Sequence, residues 1–169
     1  MQSRFGAARR MAAAGVVVTV AGLLAGCGGG GSARLSADAL DRRARAVCAA
    51  GQEEADRLRS EAAPGARGEA AAREIDATRE VLESQIRGFA GLRGPASTDE
   101  DLDRLVGHLR AAAAGLATLR DVAAARDLTV DETIRARGDV VEQVNRSSAQ
   151  AADDLVALGW LTCIGLTGG

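Results

Sequence analysis

Three cysteines and a single histidine are the side chains of this 169-residue chain with the widest chemical range. A thiolate can attack an acyl carbon, bind a soft metal or join a second sulfur. An imidazole can move a proton or ligate a metal near neutral pH. Spacing decides among these uses. Cys27, Cys48 and Cys163 stand far apart, with no Cys-x-x-Cys pair for dithiol redox chemistry. His108 has no Glu-x-x-His or His-x-x-x-His companion, so no metal site is indicated. An enzymatic reading would rest on His108 with a nearby acid such as Asp103. A histidine packed beside the apolar stripe of its helix is the plainer expectation.

The remaining motifs are equally spare. Gly-x-Ser-x-Gly is absent, which removes the usual nucleophile elbow. The acids between Asp99 and Asp103 lack the sixth-position glycine and closing glutamate of a calcium loop, and helix capping accounts for them. Asp153 and Asp154 read as a solvated pair. Asn145-Arg146-Ser147 matches a glycosylation sequon on a helix, where chance explains it. Trp160 could stack on a ligand, but its apolar neighbours Leu158, Leu161 and Ile164 favour packing. The reading is of a non-enzymatic protein with no cofactor and no metal.

The N-terminus is more informative. Arg4, Arg9 and Arg10 precede an apolar or small stretch, Met11 to Gly26, interrupted only by Thr19. Positive charge, an apolar core and small residues in that order make a secretory signal. The core is shorter than the ~20 residues that a spanning helix needs. It ends in Leu24-Ala25-Gly26-Cys27, which resembles the lipobox of bacterial lipoproteins. The resemblance implies a diacylglycerol on the Cys27 thiol and cleavage after Gly26. The alternative is an ordinary signal cleaved nearby. Two acyl chains would anchor the protein stably, where one binds only weakly. Gly28 to Ser32 is a flexible Gly/Ser tether, with no Gly-Lys-Ser/Thr after it to make a phosphate loop. The expected organisation is a signal peptide over 1–26, lipidated Cys27 and linker over 27–34, and one helical domain over 35–169.

Export places Cys48 and Cys163 in an oxidising compartment as an even pair, and a disulfide is then expected. Two buried free thiols are the alternative. Net charge is −2 for the whole chain, and losing three arginines with the leader makes the remainder more acidic. Such a surface does not attract nucleic acid.

Helical periodicity runs through the rest. A first helix over about 36–62 carries Leu40, Ala44, Val47, Gly51, Ala55 and Leu58 in one stripe, with Ser36 as N-cap and Pro64-Gly65 beyond its end. A second, over about 68–91, carries Ile75, Leu82, Ile86 and Phe89. A third starts at a capping box of Ser97 and Glu100, with acids in its first turns. A fourth starts at a second box, Thr129 and Glu132, and continues to Leu158 with Gly159 as its cap. Acid-then-arginine pairs such as Asp41/Arg45, Glu100/Arg104 and Glu142/Arg146 mark the solvated faces. The fold class is therefore all-α, and short links suggest an up-down-up-down four-helix bundle. In that topology the tail after Gly159 folds back along helix one to reach Cys48. Alanine-rich stripes allow close approach and leave little room for a ligand.

The ending Ala157-Leu158-Gly159-Trp160-Leu161-Thr162-Cys163, together with an early cysteine in helix one, resembles a loose group of small uncharacterised actinobacterial secreted lipoproteins. The resemblance implies a helical bundle and no particular activity. The functional expectation is a lipid-anchored protein on the outer face of the cell membrane. Its partner would be an envelope protein or cell-wall material. The alternative is a small-molecule or lipid binder, working as carrier or sensor.

Overall fold

The structure, a computed structural model, describes residues 34–166. The expected signal peptide, the lipid-bearing Cys27 and all of the 27–34 linker except Arg34 lie outside the described residues. What is described is helical: α1 (Ala37–Glu61), α2 (Glu69–Ala90), α3 (Asp99–Arg126), α4 (Val130–Ala136) and α5 (Gly138–Ala157), then a 3₁₀ helix, Leu161–Leu166. Among these residues the only β-type pairing is an isolated bridge between Arg67 and Thr129.

Local chemistry sets most boundaries. The Ser36 hydroxyl accepts from Ala39 N and opens α1. The Thr129 hydroxyl accepts from Glu132 N while the Glu132 carboxylate accepts from Thr129 N, so the second capping box forms in full. At the end of α5, Gly159 takes a left-handed φ of 77°. Its N–H bonds Val156 O and Trp160 N–H bonds Leu155 O, satisfying two terminal carbonyls in a Schellman arrangement.

Two boundaries depart from the sequence reading. Ser97 lies in a short 3₁₀ turn, Ala96–Thr98, and α3 starts at Asp99 with no side-chain cap. The expected box of Ser97 and Glu100 does not form. Arg34 supplies the ordering there instead. Its guanidinium forks onto both Asp99 carboxylate oxygens at 2.9 and 2.7 Å and donates to Gly94 O at 2.8 Å. That hydrogen bond holds the Asp99 carboxyl below its ordinary range. The second departure is the fourth helix, which is two helices. Arg137 leaves helical geometry at φ −132°, ψ 49°, and α5 restarts at Gly138. Glycine is among the poorest helix formers, and the Arg137 side chain grips Asp139 across the break rather than a residue one turn away.

Close approaches at glycine mark which helices face each other. Gly88 of α2 sits against Val47 of α1, and Gly115 of α3 sits against Val144 and Val140 of α5. The disposition is not a closed square. Helix α1 packs on α2, α2 on α3, and α3 on α5, but α1 and α5 do not pack on each other. The 3₁₀ tail bridges them at one end, where Gln52 Nε2 donates to Thr162 O at 3.0 Å.

The core is correspondingly uneven. At the tail end it is thick: Leu40, Phe89, Leu102, Leu105, Leu109 and Trp160 pack around the Cys48–Cys163 pair. At the other end it thins to Ala71, Ala72, Ile75, Leu119, Ala123 and Val140.

Candidate functional site

Cys48 and Cys163 are joined, with their Cα atoms 5.2 Å apart and a separation of 115 in sequence. Both are buried, which removes them from thiol chemistry. Trp160 lies against them in the same core and stacks on Phe89, centroids 5.8 Å apart and ring planes 11° apart. The indole is a packing element, as its neighbours implied.

His108 is paired, though not with Asp103, whose side chain is solvent-exposed. Its Nδ1 lies 2.7 Å from Asp154 Oδ2 across the α3–α5 interface. Arg104 Nε reaches the other oxygen, Oδ1, at 3.4 Å, and Arg104 also pairs with Asp101 and, at 3.1 Å, with Glu100. The bond to Asp154 is the main reason the Arg104 guanidinium is held above its usual value. Asp154 is therefore a buried acceptor and not half of a solvated pair; Asp153 alone is exposed. Among the described residues no hydroxyl or thiol hydrogen-bonds His108, so the cluster pins helices together without a nucleophile. Asp154→Ala is expected to cost about 1–2 kcal/mol in urea unfolding. The value stays low because Arg104 and His108, with 44% and 30% of their side chains exposed, can rehydrate. Asp153→Ala should change little, and equal effects at the two positions would reject the pin.

A concavity lies where α1 and α5 part. It is a groove of about 570 Å³, inside the ~300–1,000 Å³ range of small-molecule sites. Ala55 and Leu58 of α1 form one wall, and Val144, Asn145 and Ser148 of α5 the other. Ala77, Val81, Leu82 and Gln85 of α2, with Leu116 of α3, make the floor. The apolar stripe of α1 runs to Leu58, yet its buried residues stop at Gly51. The last turns thus present an apolar face that no helix covers.

The expectation that alanine leaves little cavity is overturned here. Where helices touch, alanine lets them close, as at Ala71, Ala112 and Ala151, all fully buried. Where they diverge, alanine is too short to fill the gap. Ala55, Ala62, Ala63, Ala66, Ala70 and Ala77 line this one.

Charges gather at the end of the groove nearest the α1–α2 link and cancel. Arg59 pairs with Asp56 at 2.7 Å, and Glu61 with Arg57 at 2.8 Å. Arg73 and Glu74 are adjacent and opposite. The Gln85 floor is polar and buried, and its Nε2 has no hydrogen-bond partner. Gln85 lies across Gly51, where a Cβ would stand 2.1 Å from Nε2. Only a glycine on α1 permits this approach.

A smaller hollow of about 150 Å³ adjoins, between α2, α3 and α4, and shares Glu74, Thr78 and Leu116 with the groove. Among the described residues no cluster of three or more His, Cys, Asp or Glu is arranged for a metal, and no helix is long and apolar enough to cross a membrane. Comparison with family models, with curated proteins and with solved structures finds no match to this chain.

Proposed function

We propose that this protein is a non-enzymatic lipoprotein, anchored through Cys27 to the outer face of the cell membrane, that binds a small, largely apolar molecule between α1 and α5. The groove carries the reading: a concave site whose surface is mostly apolar is the ordinary form of a ligand site. The Leu24-Ala25-Gly26-Cys27 sequence and the disulfide support the extracytoplasmic address. In this reading the architecture is an up-down-up-down four-helix bundle held open along one seam, with α4 as a detached first segment of the last helix. A docking face for an envelope protein or cell-wall material has less support, since Ile134, Val156 and Leu161 are the exposed large hydrophobics among the described residues.

The test uses protein extracted from membranes with detergent and then exchanged into buffer. Its intact mass should begin at Cys27 and include a diacylglyceryl group. The neutral fluorophore N-phenyl-1-naphthylamine should bind with saturation, and Ala77→Phe, which fills the floor, should weaken it about 10-fold or more, equivalent to ~1.4 kcal/mol. Leu58→Trp serves as a second block if Ala77→Phe lowers the melting temperature. A mass retaining residues before Cys27 rejects the anchor. Equal binding by the wild type and both well-folded variants rejects the groove.

A further inference from the structure

We infer that the ligand of the α1–α5 groove is a neutral amphiphile, an apolar chain bearing one uncharged hydrogen-bonding group, and that Gln85 is the residue that selects it. This rests on the ligand-binding reading above and names its chemical class.

The first observation is the state of Gln85. The residue is 3% exposed, and its Nε2 is sealed from solvent with no hydrogen-bond partner. An unpaired buried donor destabilises a fold, and an apolar residue of the same shape would not carry that penalty. The same side chain lines the groove. An amide so placed offers a ligand either an acceptor or, turned about its terminal torsion, a donor.

The second observation is charge. Arg59 and Glu61 are each neutralised by a neighbour on their own helix, and Arg73 stands beside Glu74. The charged residues lining the groove, two arginines and two glutamates, thus sum to zero. A carboxylate or an ammonium would lose hydration on entry and meet no net counter-charge.

The third is extent. From Ala70 to Gln85 the floor follows α2 for about 22 Å at 1.5 Å per residue, so an extended chain fits with its polar group at the Gln85 end.

Displacement of N-phenyl-1-naphthylamine by four ten-carbon compounds tests this: 1-decanol, decanamide, decanoate and decyltrimethylammonium. The two neutral compounds should displace the fluorophore at roughly 10-fold lower concentration than the two ions. Gln85→Met should weaken 1-decanol and decanamide about 3–10-fold, the worth of one hydrogen bond, with each displacement corrected for that variant's own affinity for the fluorophore. The same variant should melt higher by a few degrees, since it removes the unpaired amide. Gln85→Leu should behave alike. Ions that bind as well as neutral chains, or a Gln85→Met protein with unaltered preference, overturn the inference while leaving the groove a binding site. A melting temperature that falls in both variants shows the amide to be structurally partnered and overturns it too. Failure of the fluorophore and all four compounds to bind the wild type removes the ligand-binding reading itself.

Discussion

Breaking the Cys48–Cys163 bond should lower the free energy of unfolding by about 3–5 kcal/mol, the largest single effect expected in this molecule. The bond closes a span of 115 residues, and closing a loop of about 100 residues corresponds to about 4–5 kcal/mol in chain-entropy terms. Packing adds a reason to expect most of that value. The backbones of α1 and α5 do not approach each other closely, and the 3₁₀ tail is the element that bridges them. Apart from the disulfide, Gln52 to Thr162 is the side-chain hydrogen bond that crosses there. A domain of this size is stable by only about 5–15 kcal/mol. The Cys48→Ala/Cys163→Ala protein should therefore unfold at much lower urea, and hydrogen exchange should show α1 and the tail losing protection ahead of α2, α3 and α5. Oxidised and reduced proteins that unfold within about 1 kcal/mol of each other would disprove this.

Phe89→Ala comes next, with an expected loss of about 3–5 kcal/mol. The ring is 2% exposed and stacks on Trp160. Removing it opens a void in the thick end of the core, between α2 and the chain's last turn, where the disulfide limits how far the walls can close. The lost stacking alone accounts for about 0.5–1.5 kcal/mol. Trp160 is the chain's one tryptophan, so its emission reports this site without ambiguity: Phe89→Ala should shift it even in the folded protein. Phe89→Leu keeps most of the volume and should cost less than half as much. A Phe89→Ala loss below about 1 kcal/mol, or unmoved emission, would mean that this cluster is not what holds the tail.

Much of the fold is legible in the residue order because its signals are local. Ser36, Thr129 with Glu132, and Gly159 each act within a turn of chain and do what their types imply. The return of the tail to α1 is also legible, since a bond between Cys48 and Cys163 requires it. The features that sequence conceals are set by packing. Gly138 after Arg137 is the available sign of a break, but valines on both sides continue the apolar period and mask it. Asp154 shares its acidic neighbourhood with Asp153, and only the α3–α5 contact separates a buried acceptor from an exposed one. The groove is the hardest to foresee. Ala55 and Leu58 continue the stripe that Leu40 and Ala44 begin, and periodicity alone cannot distinguish a covered face from an open one. Two residues carry a trace of it: a glutamine beside the stripe of α2, and a glycine within that of α1. Together they place an amide on the floor of the groove.

The sulfur bridge has one more consequence, for what happens when the chain is cut. It ties the first helix to the final turn, so every link between them, including residues 62–68 and 91–98, belongs to a covalent ring. A protease that nicks one such link opens the ring but releases nothing; both pieces stay attached until a reductant arrives. In the extracytoplasmic setting proposed above, where proteases are met and reductants are scarce, a clipped molecule would remain whole and on its tether.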